Sequence, residues 1–268
     1  MKTRMEERTG KSKLGKEWIY GLNPVLEAIK AGRKIEVILL SSGRKDSSGI
    51  LEIEREARKK NILLKQKEIQ FFHAHFPKGH QGIAAQVLTK TYISIEELLE
   101  IPSRKGELPL FIILDLIEDP RNLGAILRVA DAAGVHGIII QSHRSVTLSA
   151  EVSKSSAGAV EYVPVSLVTN IKHTMQDMKE RGITILGTEA GVTKVVWETD
   201  LRVPLALVIG SEGKGLRKTV RETCDVLISL PMMGKINSLN VSVATGILTF
   251  EILRQRICMH EFGKGKCK

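Results

Sequence analysis

In Ile228-Ser229-Leu230-Pro231-Met232-Met233-Gly234-Lys235-Ile236-Asn237-Ser238-Leu239-Asn240-Val241-Ser242-Val243-Ala244-Thr245-Gly246, a strand, a proline-stopped loop and a helix follow one another. Residues 226–230 are an apolar run that ends at Pro231, which cannot continue a central strand. The loop contains Gly234 and closes on Ser238-Leu239-Asn240. From Val241 the small and apolar residues recur at helical spacing through Thr245, Leu248 and Ile252, which predicts a long last helix. Ser238 and Asn240 therefore stand where a loop becomes a helix. Their side chains suit the orphan N–H groups of a helix start, so capping alone accounts for an isolated Ser-x-Asn.

A strand feeding a helix through a short loop recurs along the whole chain. The 268 residues are 43% hydrophobic but only 4% aromatic, so the core is built from Ile, Leu, Val and Ala. That composition suits buried parallel strands in an α/β protein. The three cysteines (Cys224, Cys258, Cys267) form no C-x-x-C, which argues against a disulfide framework or a zinc site. A reducing compartment, the cytoplasm, fits them. No metal is expected. No apolar run is long enough to span a membrane, and the basic first residues lack the apolar core of a signal peptide.

The net charge is +10 and is unevenly spread. Residues 1–16 carry six Lys/Arg against two Glu, and residues 17–90 thirteen basic against eight acidic residues. Residues 107–253 are slightly acidic, and the last fifteen are basic again. A basic N-terminal third and basic tails suit a polyanionic partner such as nucleic acid.

The pattern divides the chain into a flexible basic arm (1–16), a small α/β domain (17–90), a short helix and linker (91–108), a larger α/β domain (109–258) and a basic tail (259–268). In the small domain, strands are expected at 35–40, 62–64 and 82–87, with helices after Asn23, over 47–60 and over 69–75. In the larger domain, strands are expected at 110–116, 137–140, 162–165, 183–186, 205–209 and 226–230. The intervening helices are expected from the Asn122 turn to Ala133, over 153–159, 170–181 and 214–222, and over 241–256. Strands buried on both faces imply a parallel sheet, and ligands of such sheets bind beyond the carboxyl ends of the strands. Asn122, Gly187, Gly210 and Pro231 all lie at such ends.

Two further stretches bear on that crevice. Asp119-Pro120-Arg121-Asn122-Leu123-Gly124-Ala125-Ile126-Leu127-Arg128 puts Asn122 near a helix start and Arg128 among apolar neighbours. A guanidinium so placed implies a partner, either a salt bridge or a bound phosphate or hydroxyl. Ile209-Gly210-Ser211-Glu212-Gly213-Lys214-Gly215-Leu216 follows a buried strand. It matches neither a P-loop nor a G-x-G-x-x-G fingerprint, so ATP and NAD are disfavoured. Glu212 by itself reads as support for a helix N-terminus.

Taken in order, these three stretches resemble the motifs of the SpoU/TrmH family of RNA ribose 2′-O-methyltransferases, over residues 109 to about 257. Tyr20-Gly21-Leu22-Asn23-Pro24-Val25-Leu26-Glu27-Ala28 and His80-Gln81-Gly82-Ile83-Ala84-Ala85 resemble the substrate-binding domain of the bacterial members that modify a guanosine of 23S rRNA. Asn23 replaces the histidine usual there. The resemblance implies a parallel SPOUT sheet closed by a C-terminal deep trefoil knot, preceded by a small ribosomal-protein-like domain. It implies S-adenosylmethionine bound at Gly187, Thr188, Gly210, Leu230 and Leu239, mostly through backbone. It implies Arg128 in the reaction, with Asn122, Ser238 and Asn240 positioning it and the ribose, and Glu212 holding the loop or orienting a partner's arginine. It implies a homodimer that packs the last helix and the first motif helix across its interface, acting on RNA.

Overall fold

A computed structural model describes residues 15–42, 48–143, 145–235 and 238–262. Most of the basic arm and the end of the basic tail lie outside these residues. The N-terminal part runs β1 (Lys16–Tyr20), α1 (Leu22–Lys30), β2 (Ile35–Ser41), α2 (Ser48–Lys59), β3 (Leu63–Lys67), α3 (Ile69–His75) and β4 (Ile83–Leu88). Its sheet has the order β1-β4-β2-β3, antiparallel except between β2 and β3. Side chains alternate across it, as the period of two requires. Ile19, Ile38, Ile83 and Val87 face α1 and α2, whereas Tyr20, Leu39 and Ala84 face Phe72 of α3. β1 is the strand that the sequence does not announce. It starts at Lys16, inside the expected arm, because its ordering comes from pairing with β4: Ile19 lies opposite Ala85, far along the chain.

The larger part runs α4 (Ile95–Lys105), β5 (Leu110–Leu114), α5 (Pro120–Ala132), β6 (Gly137–Gln141), α6 (Ala150–Ser155), β7 (Val165–Val168), α7 (Ile171–Glu180), β8 (Thr184–Thr188), β9 (Leu205–Ile209), α8 (Lys218–Arg221), β10 (Val226–Ile228) and α9 (Val241–Phe262). The strand order is β10-β8-β9-β5-β6-β7, and every neighbouring pair is parallel. Both faces are covered. Ile112 and Leu114 point toward Leu123, Ile126 and Leu127 of α5 and Leu248 and Ile252 of α9. Phe111 and Ile113 point toward Leu98 of α4 and Met175 and Met178 of α7.

Four sequence expectations need correction. Residues 91–108 contain the expected short helix, α4, but it does more than link, because it buries Leu98 and Leu99 in the core of the large sheet. The strand expected at 162–165 begins at Val165, since Ala159–Glu161 forms a 3-10 turn and Pro164 precedes the strand. The helix expected over 153–159 is α6, earlier by three residues because Ser149 caps it by accepting from Val152 N. The helix expected over 214–222 shrinks to Lys218–Arg221, because Gly213 and Gly215 take left-handed backbone and Ser211 and Gly215 exchange backbone hydrogen bonds.

The two parts are clamped together by polar pairs, buried at Arg33–Glu161 and exposed at Tyr162–Glu27. Arg33 Nη1 donates to Glu161 Oε1 at 2.8 Å, Arg33 also pairs with Glu17, and Lys90 Nζ donates to the Glu161 carbonyl at 2.9 Å. Tyr162 Oη donates to Glu27 Oε2 at 2.6 Å. Burial first, and the neighbouring Glu27 second, push the Tyr162 phenol up to about 12. Such pairs add little net stability, because desolvation offsets the attraction, but they hold a geometry that an apolar contact would not specify.

Candidate active site

α5 and α9 begin side by side above the carboxyl end of the sheet. Asp119 caps α5 by accepting from Arg121 N at 2.8 Å, and Pro120 takes the first helical position, where its missing N–H costs nothing. Asn240 caps α9: its Oδ1 accepts from Ser242 N at 2.9 Å and from Ser242 Oγ at 2.6 Å. Ser238 is therefore not the cap. At the far end Arg256, buried enough to lower its guanidinium to about 10, donates to the carbonyls of Leu108, Pro109 and Val203 and pins α9 to the lower edge of the sheet.

The caps join the two helices. Asn240 Nδ2 donates to Asn122 Oδ1 at 3.1 Å. Because Asn240 Oδ1 is occupied as an acceptor, its amide nitrogen must face Asn122, which fixes Asn122 with its oxygen inward. The Asn122 NH2 group then remains for another acceptor. Arg128, two turns along α5, is exposed, and no carboxylate pairs with it among the described residues. Among the described residues it thus has no salt-bridge partner.

Beside these helix starts is a cavity of about 510 Å³, within the range of small-molecule sites. Its walls come from three strand ends and the loops that follow them: Thr188 at the end of β8, Gly210 to Leu216 after β9, and Ile228, Ser229, Leu230 and Met232 at and after the end of β10. Ser238, Leu239 and Leu248 close it from the α9 side. Of the sequence-predicted residues, Thr188, Gly210, Leu230, Leu239, Glu212 and Ser238 line it. Gly187 does not. It is buried, and a Cβ there would come within 2.6 Å of Cys224 Sγ and 2.7 Å of Leu227 Cδ2, so packing explains that glycine. Gly210 is required by close approach as well, since a Cβ would strike the Gly215 backbone and open the loop. Asn122, Asn240 and Arg128 stand outside the cavity, the first two linked to its rim through the α9 cap.

One set of residues escaped the sequence reading. Asp115, fully buried at the end of β5, accepts from Arg217 N at 2.9 Å and from Arg217 Nε at 2.6 Å. Arg217 Nη2 reaches Gln141 Oε1 at 2.7 Å, at the end of β6. This network anchors the loop from Gly210 to Leu216 to the centre of the sheet. The available signal was a carboxylate closing the apolar run of β5, which demands a buried partner. Among the described residues, no group of three or more His, Cys, Asp or Glu side chains is placed to hold a metal ion, and no helix is long and apolar enough to cross a membrane.

Residues 109–250 match the SpoU rRNA Methylase family, and residues 18–93 match the RNA 2′-O ribose methyltransferase substrate-binding family. This chain belongs to the SpoU/TrmH family of RNA 2′-O-methyltransferases. A Bacillus subtilis protein named "Putative TrmH family tRNA/rRNA methyltransferase YacO" is 42% identical over 90% of this chain and 96% of its own. The crystal structure of the SpoU methyltransferase AviRb from Streptomyces viridochromogenes, in complex with AdoMet, superimposes with a TM-score of 0.76 and 27% identity, covering 94% of this chain and 95% of that one. An RNA 2′-O ribose methyltransferase crystal structure gives 0.74 and 26%, over 94% and 93%.

As a member of this SpoU/TrmH family the chain uses S-adenosylmethionine, and the cavity fits that cofactor. Ile209, Leu230, Leu239 and Leu248 offer apolar walls to a purine, while the backbone of the Gly210–Gly215 loop supplies polar groups. Lys214 adds a positive charge to the same wall. Bound there, the cofactor supplies an electrophilic methyl group.

Proposed function

We propose that the chain methylates the ribose 2′-hydroxyl of a guanosine in 23S rRNA, acting in the cytoplasm as a homodimer whose cofactor cavity is folded within a C-terminal trefoil knot. The observation that carries the reading is the Asn240–Asn122 bridge, which leaves the Asn122 amide donor beside the start of α9, whose Val241 lines the cofactor cavity. A 2′-hydroxyl is a poor nucleophile at neutral pH, so the protein must align it and ease the loss of its proton. Asn122 and Ser238 bind the ribose, and Asn240 holds Asn122 in register. Arg128 meets a phosphate and the negative charge that develops on the reacting oxygen. A guanidinium stays protonated, which suits this electrostatic part better than that of a base. Glu212, exposed at the cavity mouth, steadies the loop or the partner's arginine. The small basic domain supports a large structured RNA as substrate, gripped through its phosphates and shape.

The dimer is supported by α9, which is apolar on both faces. Val243, Ile247, Phe250 and Ile257 lie along its outer side and are 37–50% exposed, although a helix apolar all round is normally covered. Phe250→Asp is expected to turn a dimer into a monomer in sedimentation velocity, with methyl transfer lost. A wild-type chain that sediments as a monomer at micromolar concentration sinks the dimer.

The substrate is tested by mapping ribose methylation in rRNA and tRNA from cells with and without the gene. Loss of one 2′-O-methylguanosine in 23S rRNA is the expected result. Loss confined to tRNA would replace rRNA by tRNA as substrate, and unchanged maps in both would refute the reading.

A further inference from the structure

Lys154 on α6 sits where the two parts of the chain meet. Its Nζ donates to Gln81 Oε1 at 3.3 Å, and Gln81 Oε1 also accepts from Leu22 N at 3.0 Å. A Cβ on Gly79 would touch Lys154 Cε at 3.6 Å. Among the described residues no carboxylate forms an ion pair with this ammonium, and burial pushes its pKa down. A half-buried cation bonded, among the described residues, to a neutral amide and to no carboxylate is costly unless an anion joins it. The next residue, Ser155, has its Oγ 3.0 Å from the Pro120 carbonyl and 2.8 Å from that of Glu151, so Lys154 stands one residue from contact with the start of α5, which carries Asn122.

On the other side Gln81 forms a wall of a pocket of about 420 Å³ with Ser41, Ser42, Ile69 and His73. His73 is exposed at its edge and bonded to His80 at 3.1 Å. The pocket pairs one apolar wall, Ile69, with hydroxyl, imidazole and amide edges. That combination suits a splayed nucleobase, the form in which single-stranded RNA is read. Gln81 is common to the pocket and to the lysine.

We propose that Lys154 and the pocket beside Gln81 hold the RNA strand adjacent to the reacting nucleotide, a phosphate on Lys154 Nζ and a base in the pocket. The proposal rests on the RNA methyltransferase reading above and adds the path by which the strand crosses from the small domain to Asn122.

The test uses the full chain with protein-free 23S rRNA and bulk tRNA as probes, titrated across a salt series. Lys154→Met keeps the aliphatic stem. It is expected to weaken binding of whichever RNA the wild type binds and to lower the slope of log K against log salt by about 0.7–1. S-adenosylmethionine affinity and the melting temperature stay at wild-type values. Lys172→Met, an exposed lysine on α7, leaves both RNA affinity and slope unchanged. His73→Ala weakens binding about five- to hundredfold without changing the slope. A Lys154→Met slope equal to wild type overturns the phosphate contact, as does a loss of affinity accompanied by lost cofactor binding. Wild-type affinity in His73→Ala overturns the base pocket. A wild-type chain that binds neither RNA refutes the functional reading itself, and this proposal with it.

Discussion

Arg128→Ala is expected to slow methyl transfer by at least about 10²–10³-fold, the usual cost of deleting one group that stabilises developing charge. Cofactor affinity should stay within about twofold, because Arg128 is not among the residues of the cavity wall. It stands exposed on α5, with no carboxylate paired to it among the described residues, while Asn240 nearby is engaged with Asn122 and Ser242. A structural arginine in an apolar helix would have found a carboxylate. Tritium transfer from labelled cofactor to RNA measures the rate, and calorimetry measures binding. Arg128→Lys separates two parts for the side chain: a fixed positive charge predicts partial recovery, whereas bidentate recognition of a phosphate predicts little. Near-normal turnover in Arg128→Ala would remove Arg128 from the reaction.

The sheet of the larger domain was legible because its strands are short apolar runs bounded by Gly, Pro and Asn, and the buried parallel sheet follows from that pattern. All six runs are strands, with β7 displaced by a 3-10 turn that no periodicity marks. β1 was not legible, since five residues cannot declare a period and its partner strand lies at the other end of the small domain. At the site, Asn122 and Asn240 were each visible as helix-start residues. That one bonds the other could not be read, because the contact spans 118 positions and depends on how α5 and α9 pack. The same holds for Arg33 with Glu161: both look like surface charges in sequence and become a buried clamp only once the two parts dock. Gly187 shows an ambiguity of the opposite kind. A glycine at a strand end suits a ligand as well as a close neighbour, and here Cys224 and Leu227 are the neighbours.

Arg217→Met is expected to lower stability by about 3 kcal/mol, the low end of the loss on breaking a buried pair from one side. The asymmetry between the partners sets the size. Asp115 has no exposed surface, whereas the Arg217 side chain is about a third exposed (36%). Removing the arginine therefore strands a buried carboxylate with one backbone N–H, while Asp115→Asn leaves a guanidinium that water can reach and an amide that still accepts from Arg217. The Asn variant should accordingly lose less, about 1–2 kcal/mol. Both changes act first on the loop from Gly210 to Leu216, because Arg217 is its last tie to β5 and β6. Cofactor affinity should fall in step with the loss of stability, while RNA affinity, which we propose rests on the small domain and Lys154 rather than on this loop, stays near wild type. Urea unfolding gives the stability and calorimetry the two affinities. If Arg217→Met unfolds at the wild-type midpoint and binds the cofactor normally, Asp115 does not hold the loop. If RNA binding fails together with cofactor binding at unchanged stability, the loop serves both ligands and the division of labour between the two domains is wrong.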